Sequence, residues 1–178
     1  IMVPMVTCLE EIREAKALIL EVQRELEEKQ IPFQKDIPIG IMTETAASSL
    51  MADQFAKEVD FFSIGTNDLI QYTMSVDRGN AKVSYLYSPY NPAVLRSIYQ
   101  IISAAKKAGI YVGMCGEAAA DPLLTPVLMA WGLDEFSMSA SSILETRKRI
   151  AGLSLEELKT KADRVLDLAT EQEVRSYL

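Results

Sequence analysis

Histidine is absent from all 178 residues, which removes the commonest general acid–base and the commonest metal ligand together. Any site must therefore be built from carboxylates, amides, arginine and thiol. Cysteine is scarce as well: Cys8 and Cys115 provide neither a disulfide framework nor a CxxC metal spacing, and free thiols fit a reducing compartment. No apolar run reaches the roughly 18 residues that would span a bilayer. The opening IMVPMVTCLEE also lacks the basic flank and cleavage pattern of a secretory signal, so the expectation is a cytoplasmic chain without membrane insertion. Basic residues are in the minority, 18 against 25 acidic, and the net charge of −7 works against nonspecific nucleic-acid binding. A protein partner or a small, locally neutralised anion fits better. What is present is apolar material, 49% of the residues, enough for one core and a single domain over 1–178.

Five short apolar runs alternate with helical patterns. IMVPM opens the chain, and Thr7 with Glu10 has capping-box spacing ahead of Ile12, Ala15, Ile19, Val22 and Leu26, a stripe expected to form a helix ending near Gln30. IPIGIMTE precedes a helical stretch from about Ala46 to Glu58, and FFSIG precedes the polar TND. Asn91-Pro92 predicts a helix start, with Gly109 as its stop. YVGMCG follows, then a second cap-and-proline start at Asp121-Pro122 and a stop at Gly132. DEFSMSA is the last expected strand, and Ser154 with Glu157 the last expected capping box. This alternation predicts an α/β fold of parallel βα units with right-handed crossovers. Glu44, Thr66-Asn67-Asp68, Cys115 and Ser139 each follow an apolar run directly, so parallel strands place them at one end of the sheet, where barrels and open α/β sheets keep their sites. Five strands do not close a (βα)8 barrel, which needs about 250 residues, and a fragment of a larger barrel is expected.

Glu44 and Asp68 are candidate ligands of Mg²⁺, which takes oxygen donors, commonly one or two carboxylates. The plainer alternative is a helix cap at Glu44 and an Asx-turn at Asp68. Asn67 and Arg78 could bind a phosphoryl group through amide hydrogens and a planar guanidinium, although Arg78 beside Gly79 also suits a surface turn. Cys115 is either a small core hydrophobe or a proton donor; with no histidine to make an ion pair, donation suits it better than nucleophilic attack.

Taken in order, IMVPM, GIMTET, DFFSIGTNDLIQYTMSVDRGN, NPAVLR, GMCGE and DEFSMSA resemble the C-terminal phosphoenolpyruvate-binding barrel of enzyme I of the bacterial sugar phosphotransferase system. The resemblance implies a partial (βα)8 TIM barrel holding the fourth to eighth strands, with magnesium on Glu44 and Asp68. It also implies phosphate binding by Asn67 and Arg78, and an enolate-protonating Cys115. The implied parent is a phosphotransferase that moves the phosphoryl group of phosphoenolpyruvate to a histidine on its own N-terminal domain and then to the phosphocarrier protein HPr, releasing pyruvate. A homodimer is also implied. Two departures from the family pattern, Ala46 and Ala120, are expected to loosen the turn after Glu44 and to shift the loop after Cys115. The polar run after FFSIG is expected to be the loop that joins metal and phosphate. Lacking a histidine, the chain by itself cannot form phosphohistidine and is expected to be inactive alone. The alternatives are a phosphoenolpyruvate synthase or pyruvate phosphate dikinase type of domain, a magnesium-dependent lyase or aldolase, and a noncatalytic dimerisation module.

Overall fold

The computed structural model describes residues 1–178. Its strands are β1 (Met2–Val3), β2 (Gly40–Thr43), β3 (Phe61–Gly65), β4 (Tyr111–Cys115) and β5 (Glu135–Phe136), and all neighbouring pairs are parallel. Its helices are α1 (Leu9–Glu28), α2 (Ala46–Leu50), α3 (Ala52–Phe55), α4 (Thr66–Met74), α5 (Pro92–Ala108), α6 (Leu124–Trp131), α7 (Ala140–Ala151), α8 (Leu155–Val165) and α9 (Glu171–Tyr177). The sheet order is β1-β2-β3-β4-β5, so each strand lies beside its predecessor and the winding never reverses. A doubly wound open sheet has a switch point in its strand order. Its absence here identifies the sheet as an arc of a singly wound βα barrel, as expected for a partial barrel.

Register separates two faces. Ile41, Phe62, Val112 and, one step on, Ile64 and Met114 stand on the same side, all fully or almost fully buried. They join Leu95, Ile98, Ile101 and Ile102 of α5 in one apolar cluster. The alternate residues, Gly40, Met42, Phe61, Ser63, Tyr111, Gly113 and Glu135, occupy the opposite face. That face is the incompletely filled barrel interior: Tyr111 is 48% exposed and its hydroxyl donates to Glu135 Oε2 at 3.2 Å. Gly40 permits the Phe61 ring to lie across it, since a Cβ there would come within 2.5 Å of the ring.

Several local expectations shift. The first helix is capped one residue later than Thr7–Glu10: Cys8 is the N-cap, and the Glu11 carboxylate accepts from the N–H groups of Thr7 (2.6 Å) and Cys8 (3.1 Å). Of the predicted α1 stripe only Ile12 is fully buried, because the helix continues past the two-residue edge strand β1 and leaves Val22 exposed. The stretch from Ala46 to Glu58 breaks at Met51 into α2 and α3. Asp121 caps a turn, accepting from Leu123 N and Leu124 N, and the helix proper begins at Leu124. Ser154 is an N-cap whose side chain makes no capping bond. DEFSMSA contributes only Glu135–Phe136 to the sheet. The Asn91-Pro92 start and the left-handed glycine stops at Gly109 and Gly132 are present as expected.

Candidate functional site

The site grows from the carboxyl ends of β2, β3 and β4. Glu44 continues the inward alternation of Gly40 and Met42, which turns it toward the barrel interior beside Gly65 and Cys115. Its side chain passes over Gly65, where a Cβ would stand 2.6 Å from Glu44 Oε2 and 2.9 Å from Glu44 Cβ. Glycine is thus required at 65 for space, not for backbone angle, since φ is −84°. Glu44 is only 3% exposed, and Oε1 accepts from Met5 N at 2.8 Å. Burial raises its pKa; the Met5 N–H opposes that rise and the nearby Asp68 charge adds to it. The turn after Glu44 is closed despite Ala46: Thr45 Oγ1 donates to Val6 O at 2.7 Å and accepts from Ser48 N at 3.0 Å.

Thr66, Asn67 and Asp68 form the first turn of α4, which corrects the expectation of a loop. A helix start suits these residues: its unpaired N–H groups and positive dipole end favour an acid and an anion nearby. Thr66 Oγ1 donates to Cys115 O at 2.9 Å and ties α4 to β4. Asn67 Oδ1 accepts from Glu117 N at 3.3 Å, which leaves its Nδ2 hydrogens as the amide's donors toward a ligand. This packing needs Gly116, with φ of 96°, because a Cβ would come 2.3 Å from Thr66 Oγ1. Helix α4 ends on a left-handed Ser75, and the chain turns so that Arg78 N donates to Gln71 Oε1 at 3.1 Å. Arg78 Nη2 then lies 3.8 Å from Asp68 Oδ1. That ion pair is partly exposed and contributes little stability, so its main consequence is to hold the guanidinium beside the acid pair.

Cys115 is partly buried at the end of β4, and Ser63 Oγ donates to its sulfur at 3.9 Å. Burial raises the thiol pKa, the Ser63 hydroxyl lowers it, and the charges of Glu44 and Asp68 raise it further. A thiol displaced upward from a normal value of about 8.5 stays protonated at neutral pH, which suits a proton donor and not a nucleophile. Beside it lies a cleft of about 520 Å³ whose walls include Asn67, Cys115, Gly116, Glu117, Ala120, Ser137, Ser139 and Ser142. Glu44, Asp68 and Arg78 are not part of these walls. Glu44 adjoins the cleft across Gly65, which lies between Glu44 and Cys115 in the register, and Asp68 follows the cleft residue Asn67 in the chain.

The structure pairs Asp68 with Arg78, sets Glu44 and Cys115 on either side of Gly65, and puts Asn67 and Cys115 on one cleft; no hydrogen bond or ion pair joins Arg78 to Asn67, Glu44 or Cys115. It adds the serine wall of the SMSASS segment and Tyr87, whose hydroxyl donates to Asn67 O at 3.1 Å. Nothing in the local sequence around Tyr87 marks it, because the contact spans 20 residues. Glu117 acts here through its backbone N–H, which donates to Asn67 Oδ1.

No group of three or more acidic, cysteine or histidine side chains able to hold a metal is present. Two acids still meet the usual protein contribution to a magnesium site, in which water and substrate oxygens complete the octahedron. The donor set also fits a hard cation: Glu44 is a buried carboxylate with one hydrogen bond, raised in pKa partly by a second acid.

Comparison with known proteins finds a matching family model and similar curated proteins. A family model described as the PEP-binding domain of PEP-utilising enzymes matches residues 1–155. The phosphoenolpyruvate-protein phosphotransferase of Geobacillus stearothermophilus is 54% identical over 178 residues, covering 100% of this chain and 31% of the relative. The protein of that name from Staphylococcus aureus is 54% identical over 174 residues, covering 98% of this chain and 30% of the relative. The one from Priestia megaterium is 50% identical over 178 residues, again all of this chain and 31% of the relative. The chain thus spans under a third of the length of these relatives. By the match of the family model across most of its length, the chain belongs to the PEP-binding domain family of PEP-utilising enzymes.

Proposed function

We propose that this domain binds phosphoenolpyruvate within a phosphoenolpyruvate-protein phosphotransferase, and that its own residues divide the work on the substrate. The observation that carries the reading is the level shared by Glu44, Gly65 and Cys115 at the strand ends, with Asn67, Asp68 and Arg78 arriving from one side of it. Magnesium, held by Glu44 and Asp68, would supply Lewis-acid stabilisation of substrate oxygens. Arg78 and the Nδ2 hydrogens of Asn67 bind the phosphoryl group and offset its charge as it departs. Cys115 gives its proton to the methylene carbon of the enolate left behind, and pyruvate results. The high thiol pKa keeps that proton available, and a thiolate carrying the charge afterward is reprotonated from solvent. The phosphoryl acceptor must come from outside these 178 residues, which contain no histidine. A phosphohistidine domain in the same longer polypeptide, HPr as the next acceptor, a homodimer and a cytoplasmic location complete the reading, supported by the likeness to enzyme I. No helix is long and apolar enough to cross a membrane.

Isothermal titration of phosphoenolpyruvate with and without Mg²⁺ tests the proposal. Magnesium-dependent binding that is lost in Arg78→Ala supports it; binding indifferent to both the metal and Arg78 refutes it.

A further inference from the structure

Tyr87 touches the phosphoryl-binding pair without lining the 520 Å³ cleft. Its hydroxyl donates to the backbone carbonyl of Asn67 at 3.1 Å, and the Arg78 guanidinium is near enough to oppose the rise that burial causes in the pKa of the same hydroxyl. One phenol thus bonds to one of the two residues that the proposed function assigns to the phosphoryl group and stands near the other.

The segment carrying Tyr87 is itself clamped from two sides. Ser88 Oγ donates to Glu171 Oε1 of α9 at 2.7 Å, and Arg175 of α9 stacks on the Tyr90 ring with its guanidinium carbon 3.9 Å from the centroid. Arg175 Nε donates in turn to Glu171 Oε1 at 2.7 Å, which closes the α9 side of the clamp. On the other side the Tyr90 hydroxyl donates to Asp121 Oδ2 at 2.5 Å, and Asp121 Oδ1 caps the turn that follows Cys115 and Gly116. Ser88 and Tyr90 are buried, although the segment belongs to no helix or strand. Helix α9 lies beyond residue 155, outside the stretch matched by the family model, yet two of its side chains fix this segment.

We infer that Tyr87 is a positioning residue for Asn67 and Arg78, held in register by a clamp formed by Ser88, Tyr90, Glu171, Arg175 and Asp121. The inference rests on the phosphoryl-binding role proposed for that pair. Its physical basis is that Arg78 is a half-exposed side chain with many rotamers, and only a partly exposed ion pair to Asp68 otherwise limits them. A phenol fixed by the clamp restricts the guanidinium before substrate arrives. The same phenol holds the Asn67 backbone, and through it the direction of the Nδ2 hydrogens.

The test compares two ligands in the full-length protein with Mg²⁺ present: phosphoenolpyruvate, which carries the phosphoryl group, and pyruvate, which lacks it. Tyr87→Phe keeps the ring and removes only the hydroxyl. It should weaken phosphoenolpyruvate binding about five- to tenfold, the loss of one hydrogen bond, and leave pyruvate affinity within twofold. Glu171→Gln, which weakens the clamp with Tyr87 intact, should weaken phosphoenolpyruvate about two- to threefold and again spare pyruvate. Equal losses for both ligands would show a general packing role and overturn the inference, and so would unchanged phosphoenolpyruvate affinity in Tyr87→Phe. Arg78→Ala separates the two claims. If Arg78→Ala abolishes phosphoenolpyruvate binding and Tyr87→Phe does not weaken it, the positioning role alone fails. If Arg78→Ala binds phosphoenolpyruvate normally, the site reading fails and the positioning role fails with it.

Discussion

Gly65→Ala is the most exacting single perturbation of the site, because it adds one methyl group at a position whose backbone angles any residue can adopt. The new Cβ would stand 2.6 Å from Glu44 Oε2, 2.9 Å from Glu44 Cβ and 3.0 Å from Met42 Cγ. These separations fall roughly 0.5–1 Å short of the ~3.5 Å at which non-bonded carbon atoms reach their optimum. Glu44 has no easy escape, since it is buried and its Oε1 is held by Met5 N. Overpacking of this kind costs about 1–3 kcal/mol. At about 2–4 °C per kcal/mol for a domain of this size, the melting temperature should fall by roughly 2–12 °C. Function should suffer more than stability: a displacement near 1 Å of a metal-binding carboxylate corresponds to a loss of about 100-fold. Calorimetric titration of phosphoenolpyruvate with Mg²⁺, alongside thermal unfolding of the same sample, reads both quantities. A Gly65→Ala variant that binds within twofold of the parent would refute the claim that Glu44 must pass over residue 65 to serve the site.

Three further outcomes follow from the same geometry. Glu44→Ala and Asp68→Ala should each abolish magnesium-dependent turnover in the full-length protein and retain cooperative unfolding; normal turnover by both would remove the metal assignment. Cys115→Ser should transfer the phosphoryl group yet form pyruvate slowly, because a hydroxyl is a far weaker acid than a thiol; unchanged pyruvate release would exclude Cys115 as the donor. Alkylation of Cys115 by iodoacetamide should rise with pH through a midpoint above the ~8.5 of a free cysteine, since burial and the two nearby acids favour the protonated form; a midpoint below 8 would indicate a stabilised thiolate and contradict that role.

The βα order and the strand ends were legible in the sequence because Gly, Pro and Asn mark helix limits and buried strands read as short apolar runs. FFSIG and YVGMC coincide with β3 and β4 for that reason. Their direct polar continuations also placed Glu44, Asn67, Asp68 and Cys115 at one end of the sheet. Arg78 was a candidate by its guanidinium chemistry alone, with a surface turn as the alternative, since a residue twelve positions past the helix start at Thr66 carries no positional signal of its own. The helical state of Thr66-Asn67-Asp68 was not legible because the helix begins without a side-chain cap, immediately after Gly65. The cap at Cys8 was missed because cysteine is a poor N-cap by type, and here the Glu11 carboxylate binds the backbone in its place. The partial burial of the α1 stripe could not be read from periodicity, which reveals an apolar face but not what covers it. Tyr87 and its clamp join residues from 20 to 87 positions apart, beyond any local pattern.

Convergence of Glu44, Asp68, Arg78 and Cys115 on one bound cation and phosphoryl group is the central claim, and paramagnetic relaxation by Mn²⁺ in place of Mg²⁺ tests it most directly. In protein labelled with ¹³C at cysteine Cβ, with the Cys115 signal assigned through Cys115→Ser, added Mn²⁺ should broaden that signal beyond detection. Excess Mg²⁺ should restore it, and Glu44→Ala with Asp68→Ala should prevent the broadening. A Cys115 signal that stays sharp in the presence of bound Mn²⁺, or one that broadens equally without the two carboxylates, would contradict the account.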